Sequence, residues 1–199
     1  MRKQLTISLA VAAISLLTTA PRAEEEHREL GPHVHGHGTL NIAIEDKRVS
    51  MELEVPGMDI VGFEHAATTD DQKAVVDKAK AHLEKPLGVF ALPADAGCTV
   101  AEAKVAIEAE HHHDDDDNDG DHNDAKDKHG HDEHAGHNQF HVTYALDCTN
   151  PAGLTTITFD YFTLFAGAHD LTVSVVTGKG QSQFEVSRSK PTLDLAGIM

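Results

Sequence analysis

The chain has 199 residues, with 33 acidic, 16 basic and 16 histidine side chains, and its formal net charge is −17. This balance excludes a nucleic-acid-binding protein, which needs a basic face for the phosphates, and a protein that charge alone holds on anionic lipid. Histidine is the commonest metal-ligating side chain, and carboxylates bind the same ions. The composition therefore favours a metal-binding protein.

The first 23 residues have the pattern of a secretory signal peptide. A basic start is followed by a short apolar run, residues 5–17, and then by small residues up to Ala23. The run is too short for a lasting membrane span, and no later apolar stretch is long enough either. We predict cleavage after Ala23, rather than after Ala20, and a periplasmic protein without membrane insertion whose mature domain covers 24–199.

The first part of the mature chain is predicted to form a β-hairpin and then a helix. Apolar and polar residues alternate over 40–44 and again over 49–55, on both sides of a short polar turn. This pattern is typical of two antiparallel strands. Thr69 then caps an amphipathic helix that continues to about Lys85, where Pro86 follows.

Two longer strands are predicted at Cys98–Ala109 and Gln139–Cys148, joined by the low-complexity segment 110–138. They pair most simply as antiparallel neighbours, which places Cys98 and Cys148 opposite each other at the ends away from the segment. In an oxidising compartment a single pair of cysteines favours a disulfide bond over two free thiols. The disulfide would hold the two strands together.

The rest of the chain continues with short elements. We predict a strand at 154–159, a short helix or turn at 161–168, a hairpin at 171–177 and 181–186, and a tail from Pro191. Sequential hairpins with one clear helix predict an α+β fold: one domain, a mostly antiparallel β-sheet with one or two helices, and a long disordered His/Asp-rich loop.

The segment 110–138 has no large apolar residue and is predicted to be disordered. It holds eleven acidic residues, two lysines and half of all the histidines. Those histidines are His111, His112, His113, His122, His129, His131, His134 and His137. Neutral imidazoles bind Zn²⁺, Ni²⁺ and Cu²⁺, and the carboxylates concentrate cations nearby. We therefore expect several weak, exchangeable sites, since solubility alone, as in a plain solvated linker, needs only Asp and Glu.

A second histidine motif leads into the first strand. His33, His35 and His37 are spaced two apart, and on a strand such residues project from one face about 6.8 Å apart. Two of them, with a ligand from elsewhere, could hold one tetrahedral ion. The alternative is a glycine-flanked surface segment with incidental histidines.

Four residues are candidates for the missing ligand: Glu64, His65, His141 and His169. Glu64 and His65 follow the hairpin in a glycine-containing loop. His141 alternates with apolar neighbours, which predicts that it lies on the face opposite the core. His169 is followed by Asp170, which could orient it from behind. For each residue alone, an ordinary surface or half-buried role is an equal alternative.

Two stretches, residues 33–43 (HVHGHGTLNIA) and 56–65 (PGMDIVGFEH), resemble the ZrgA-type periplasmic zinc-binding proteins. The similarity continues through residues 90–93 (FALP), both cysteine strands, the His/Asp loop and the apolar segment 159–165. It implies capture or delivery of zinc in the periplasm together with an inner-membrane zinc transporter.

The resulting hypothesis is a non-enzymatic protein that binds Zn²⁺ and assists its uptake. Two alternatives remain open from the sequence. A zinc-dependent hydrolase would need an open water position beside a carboxylate such as Glu64. A nickel- or copper-handling protein of the same build would use the same nitrogen and oxygen ligands.

Overall fold

The predicted hairpin forms the middle of a six-stranded sheet. In the computed structural model, which describes residues 34–109 and 137–199, the strands in chain order are β1 His37–Glu45, β2 Arg48–Pro56, β3 Phe90–Ala91, β4 Cys98–Ala109, β5 Asn138–Cys148, β6 Thr156–Phe159, β7 Asp170–Thr177, β8 Gly180–Ser187 and β9 Thr192–Asp194. The large sheet has the order β4-β5-β2-β1-β7-β8, and β3-β6-β9 form a small second sheet.

The described residues also form four short or medium α-helices: α1 Gly57–Val61, α2 Asp70–Leu83, α3 Pro86–Val89 and α4 Tyr161–Leu164. The predicted cap of α2 is confirmed. The Thr69 hydroxyl accepts a hydrogen bond from the backbone N–H of Gln72, and the Gln72 side chain accepts one from the backbone N–H of Thr69. This reciprocal capping box satisfies two backbone donors that the first helical turn leaves free. The sequence pattern did not predict α1.

The predicted pairing of β4 with β5 is confirmed, with Cys98 opposite Cys148 and Ala109 opposite Asn138. A disulfide bond joins the two cysteines. The disulfide lies at one end of these strands, and the segment between them leaves from the other end. Residues 110–136 lie outside the described part of the chain, as do the predicted signal peptide and His33.

The sheet is mostly antiparallel, which confirms the predicted α+β class. Among the strands of the described residues, only the pair β1 and β7 is parallel, with His37 opposite Asp170. The two strands are far apart in the sequence, and no local sequence pattern predicts their pairing.

One face of the large sheet packs against the helices and the small sheet. Leu40, Ile42 and Leu53 point to this side and are at most 1 % exposed, and they share one core with Phe159 and Leu193. We call the opposite side the outer face. Its residues, the alternate positions of each strand, are mostly polar and mostly half-buried or exposed. It follows that polar groups on neighbouring strands can meet there without loss of core packing.

Arg188, just after β8, holds the segment before β7 in place through hydrogen bonds. Its guanidinium donates to the backbone carbonyls of Phe162 (2.5 Å), Phe165 (2.9 Å) and Ala168 (2.5 Å). Its backbone N–H donates to the carbonyl of His169 at 2.9 Å. Residues 161–168 thus form the short helix and turn expected there, and they deliver His169 and Asp170 to the edge of the sheet beside β1.

Candidate metal centre

The residues Val34 to His37 form a tight turn at the beginning of β1. The backbone N–H of His37 donates to the carbonyl of Val34 at 3.0 Å, and Gly36 has φ +85°. A glycine suits this position because a positive φ strains other residues, and because a Cβ here would lie 3.2 Å from Cγ of His169. The predicted strand geometry for His35 is therefore replaced by a turn. His35 and His37 join different groups of side chains.

The first of these, which we call the turn group, consists of His35, Glu64 and His137. Nε2 of His35 lies 2.7 Å from Oε1 of Glu64, and Nδ1 of His137 lies 2.5 Å from Oε2. The carbonyl of Glu64 also accepts a hydrogen bond from the backbone N–H of Asn138 at 2.7 Å. One carboxylate therefore holds two imidazoles, one from the turn and one from the point where the histidine-rich segment rejoins the sheet.

A buried carboxylate lies behind this group. Asp59 of α1 is 2 % exposed; its Oδ1 accepts a hydrogen bond from the backbone N–H of Gly36 at 2.7 Å. Its Oδ2 is buried and has no hydrogen-bond partner among the described residues. Burial raises the pKa of Asp59, while the Gly36 N–H and the nearby imidazoles of His35 and His169 partly oppose the rise. The carboxylate thus provides negative potential beside two histidines.

Asp59→Asn is expected to raise the Tm of the metal-free protein at neutral pH. When the pKa of an acid is raised in the folded state, its ionisation lowers the stability of the protein. The protein therefore keeps its full stability at low pH and loses part of it as the pH rises through the folded-state pKa. The amide oxygen of Asn can still accept from the Gly36 N–H. Thermal unfolding in chelator from pH 8 to pH 4 checks this: the gain of the variant should shrink as the pH falls. Equal Tm values at pH 8 would contradict it.

The second group, the strand group, consists of His37, Asp170 and Glu185, on the outer face of β1, β7 and β8. Nδ1 of His37 is hydrogen-bonded to Oδ1 of Asp170. The Thr172 hydroxyl lies 3.1 Å from Nε2 of His37 and donates to Glu185 at 2.8 Å. His37, Asp170 and Glu185 each offer one ligand atom, and these three atoms lie within 4.8 Å of one another. The parallel register of β1 and β7 creates this group.

The other sequence candidates take separate positions. His169 lies against Gly36, beside the turn group, and is exposed. His65 stacks on Phe63 with ring centroids 5.0 Å apart, and its Nδ1 is 2.9 Å from the carbonyl of Ala66, so it joins neither group. His141 lies on the outer face as predicted, but with Glu52 and Glu54 of β2. The remaining loop histidines, from His111 to His134, lie outside the described residues.

Sequence reasoning missed Asp59, Glu185, Glu52 and Glu54 as members of these groups. The alternation of β2 and β8 placed the three glutamates on the polar face, which is the signal that could have found them. No local sequence pattern indicates a role for Asp59, because Gly36, whose backbone N–H donates to it, is 23 residues away in the chain.

The fold and these groups define a class: a small, largely antiparallel β protein with histidine–carboxylate groups that could hold a metal ion. The family model described as ZrgA family zinc uptake protein matches residues 32–195. The protein therefore belongs to the ZrgA family of zinc uptake proteins. No curated protein matches the chain. Within residues 34–109 and 137–199, no helix is long and apolar enough to cross a membrane.

Proposed function

We propose that this protein captures Zn²⁺ in the periplasm and assists its uptake by an inner-membrane zinc transporter. The observation that carries the proposal is the position of Glu64, whose two carboxylate oxygens face the imidazoles of His35 and His137. Two nitrogen ligands and one carboxylate are a donor set that zinc favours in proteins. Membership of a zinc uptake family supports zinc as the ion.

The turn group suits reversible capture. The side chains of His35 and His137 are 58 % and 53 % exposed, while Glu64 between them is only 13 % exposed. The carboxylate is therefore held in place and the imidazoles can move onto an arriving ion. His169, which lies against Gly36, is a further imidazole beside this group, and the negative charge of Asp59 favours a cation here. The strand group begins two residues along the chain, at His37, and offers a second set of ligands at the same end of the sheet.

The histidine-rich segment supports the capture site by its chain position. Residues 110–136 contribute seven histidines and eleven acidic residues. The segment leaves the sheet at Ala109 and returns at His137, which is itself a member of the turn group. We propose that its weak sites raise the local concentration of Zn²⁺ next to Glu64, in line with the expected effect of clustered carboxylates and imidazoles.

Binding is favoured over catalysis because of the role of Glu64. A hydrolase would need this carboxylate as a general base beside a metal-bound water. Here both of its oxygens already have imidazole partners, so we propose that Glu64 serves as a ligand rather than as a base. Nickel and copper would accept the same donor atoms, and the family membership is what favours zinc over them.

Export is part of the proposal. We propose that residues 1–23 act as a cleaved signal peptide and that residues 24–199 form the mature metal-binding protein. The disulfide between Cys98 and Cys148 supports an oxidising compartment, because such bonds are rare in reducing ones. The transporter partner follows from the zinc-uptake role and has no contact surface assigned.

Zinc titration of a shortened chain tests the ordered site. Replacing residues 111–136 with Asn-Gly joins Glu110 to His137 by a short hairpin connection and keeps the turn group intact. We expect calorimetry at neutral pH to show loss of the weak sites but retention of the tightest Zn²⁺. Binding should weaken in acid, since protonated imidazole cannot ligate. Absence of any tight ion in the shortened chain would refute the ordered capture site.

A further inference from the structure

A third group of potential ligands lies on the outer face, away from the capture site. Glu52 and Glu54 of β2 and His141 of β5 each offer one ligand atom, and these atoms lie within 4.8 Å of one another. Glu54 is directly opposite His141 in the antiparallel register, and Glu52 is one step further along the same face. We call these three residues the face group.

The geometry of the face group is set by regular strands. Nε2 of His141 lies 2.8 Å from Oε1 of Glu52, and its Nδ1 lies 3.9 Å from Oε1 of Glu108 on β4. The side chains of His141 and Glu52 are 28 % and 34 % exposed, whereas Glu108 is 59 % exposed. Three adjacent strands therefore direct one imidazole and up to three carboxylates to one half-buried position. A site on strands is held more rigidly than one on a loop.

The charges of the face group favour a cation. Glu52 and Glu54 are about 6.8 Å apart along one strand and approach the same imidazole, so their like charges repel. A divalent cation bound by the three ligand atoms would attract both carboxylates and reduce this repulsion.

We infer that the face group is a second ordered metal site, which binds one Zn²⁺ through His141, Glu52 and Glu54. The imidazole favours zinc over calcium or magnesium, which prefer oxygen ligands. From the strand spacing, the site lies about 12 Å across the sheet from the strand group, because two and a half strand intervals separate their centres. The choice of zinc rests on the proposed function, but the existence of this site is independent of the turn group.

The test compares three variants of the mature chain with its histidine-rich segment present, so that the segment contributes equally to each. Glu52→Gln/Glu54→Gln removes the carboxylates of the face group, and His141→Gln removes its imidazole. His82→Gln, on α2 and outside the three groups, is the matched control. Equilibrium dialysis against buffered Zn²⁺ should show one fewer bound ion in the first two variants and an unchanged number in the control.

A residue-level readout separates this site from the capture site. In histidine-labelled protein, the ring signals of His141 should shift on addition of Zn²⁺, and should do so equally in Glu64→Gln, which disrupts only the turn group. The shift should disappear in Glu52→Gln/Glu54→Gln, whose Tm in chelator shows that it is folded. The inference is overturned if His141 does not respond to Zn²⁺ in the folded wild-type protein, or if the carboxylate variant keeps both the shift and the full number of ions.

Discussion

Replacing Cys98 and Cys148 by alanine is expected to lower the free energy of unfolding by about 4 kcal/mol, the chain-entropy effect of a cross-link over a 50-residue separation. For a domain of this size, that loss corresponds to a Tm lower by roughly 10 °C. The effect is large because β4 and β5 are joined at their other ends only through the long segment 110–136. Without the disulfide, folding must close that loop against its full conformational entropy.

Alanine is the suitable replacement because Cys148 is 1 % exposed, and a hydroxyl there would add a desolvation cost of its own. Differential scanning calorimetry of the mature protein in chelator measures the change. Wild-type protein treated with reductant is the control and should unfold at nearly the same temperature as the double variant. The zinc affinity of the folded variant should not change, because the disulfide is at the opposite end of β4 and β5 from His137. A Tm equal to that of the oxidised wild type would contradict the entropic role.

The predictable parts of the fold are those with local signals. The alternation around Glu45–Arg48 predicted the central hairpin, and Thr69 predicted the start of α2. The ends of two alternating runs placed Cys98 opposite Cys148. The parallel pairing of β1 with β7 has no such signal, because its partners, such as His37 and Asp170, are 133 residues apart in the chain. The small sheet was missed because β3 and β9 contain only two and three residues.

In the candidate site, too, the features with a local sequence signal were predictable and the contacts between distant residues were not. The chemistry of the side chains made His35, His37, Glu64 and His137 candidate ligands, but the sequence did not show which of them lie together. His37 meets Asp170 only through the parallel register, and His35 turns toward Glu64 because Gly36 adopts a positive φ. Period-two spacing alone would have put His35 and His37 on one ion. The glycine between them was the available evidence for a turn.

Glu64→Gln is expected to weaken binding of the tightest Zn²⁺ by roughly 100-fold, since we propose that Glu64 is both a ligand and the group that orients His35 and His137. The change keeps the size of the side chain and leaves the backbone hydrogen bond from Asn138 to the Glu64 carbonyl in place. It removes the negative charge and introduces an N–H donor toward imidazoles that donate to the present carboxylate. Competition with a chromophoric chelator measures the affinity.

Glu84→Gln, just after α2 and outside all three groups, is the matched control and should bind like the wild type. In chelator, the Tm of Glu64→Gln should equal that of the wild type. At a fixed, saturating concentration of free Zn²⁺ the variant should be less stable than the wild type by up to about 2.7 kcal/mol, because ligand stabilisation depends on the logarithm of the affinity. If the tight ion remains in Glu64→Gln and is lost in His37→Gln, the strand group is the capture site. Loss in Glu64→Gln with retention in His37→Gln establishes the turn group, and with it the reason that the histidine-rich segment ends at His137.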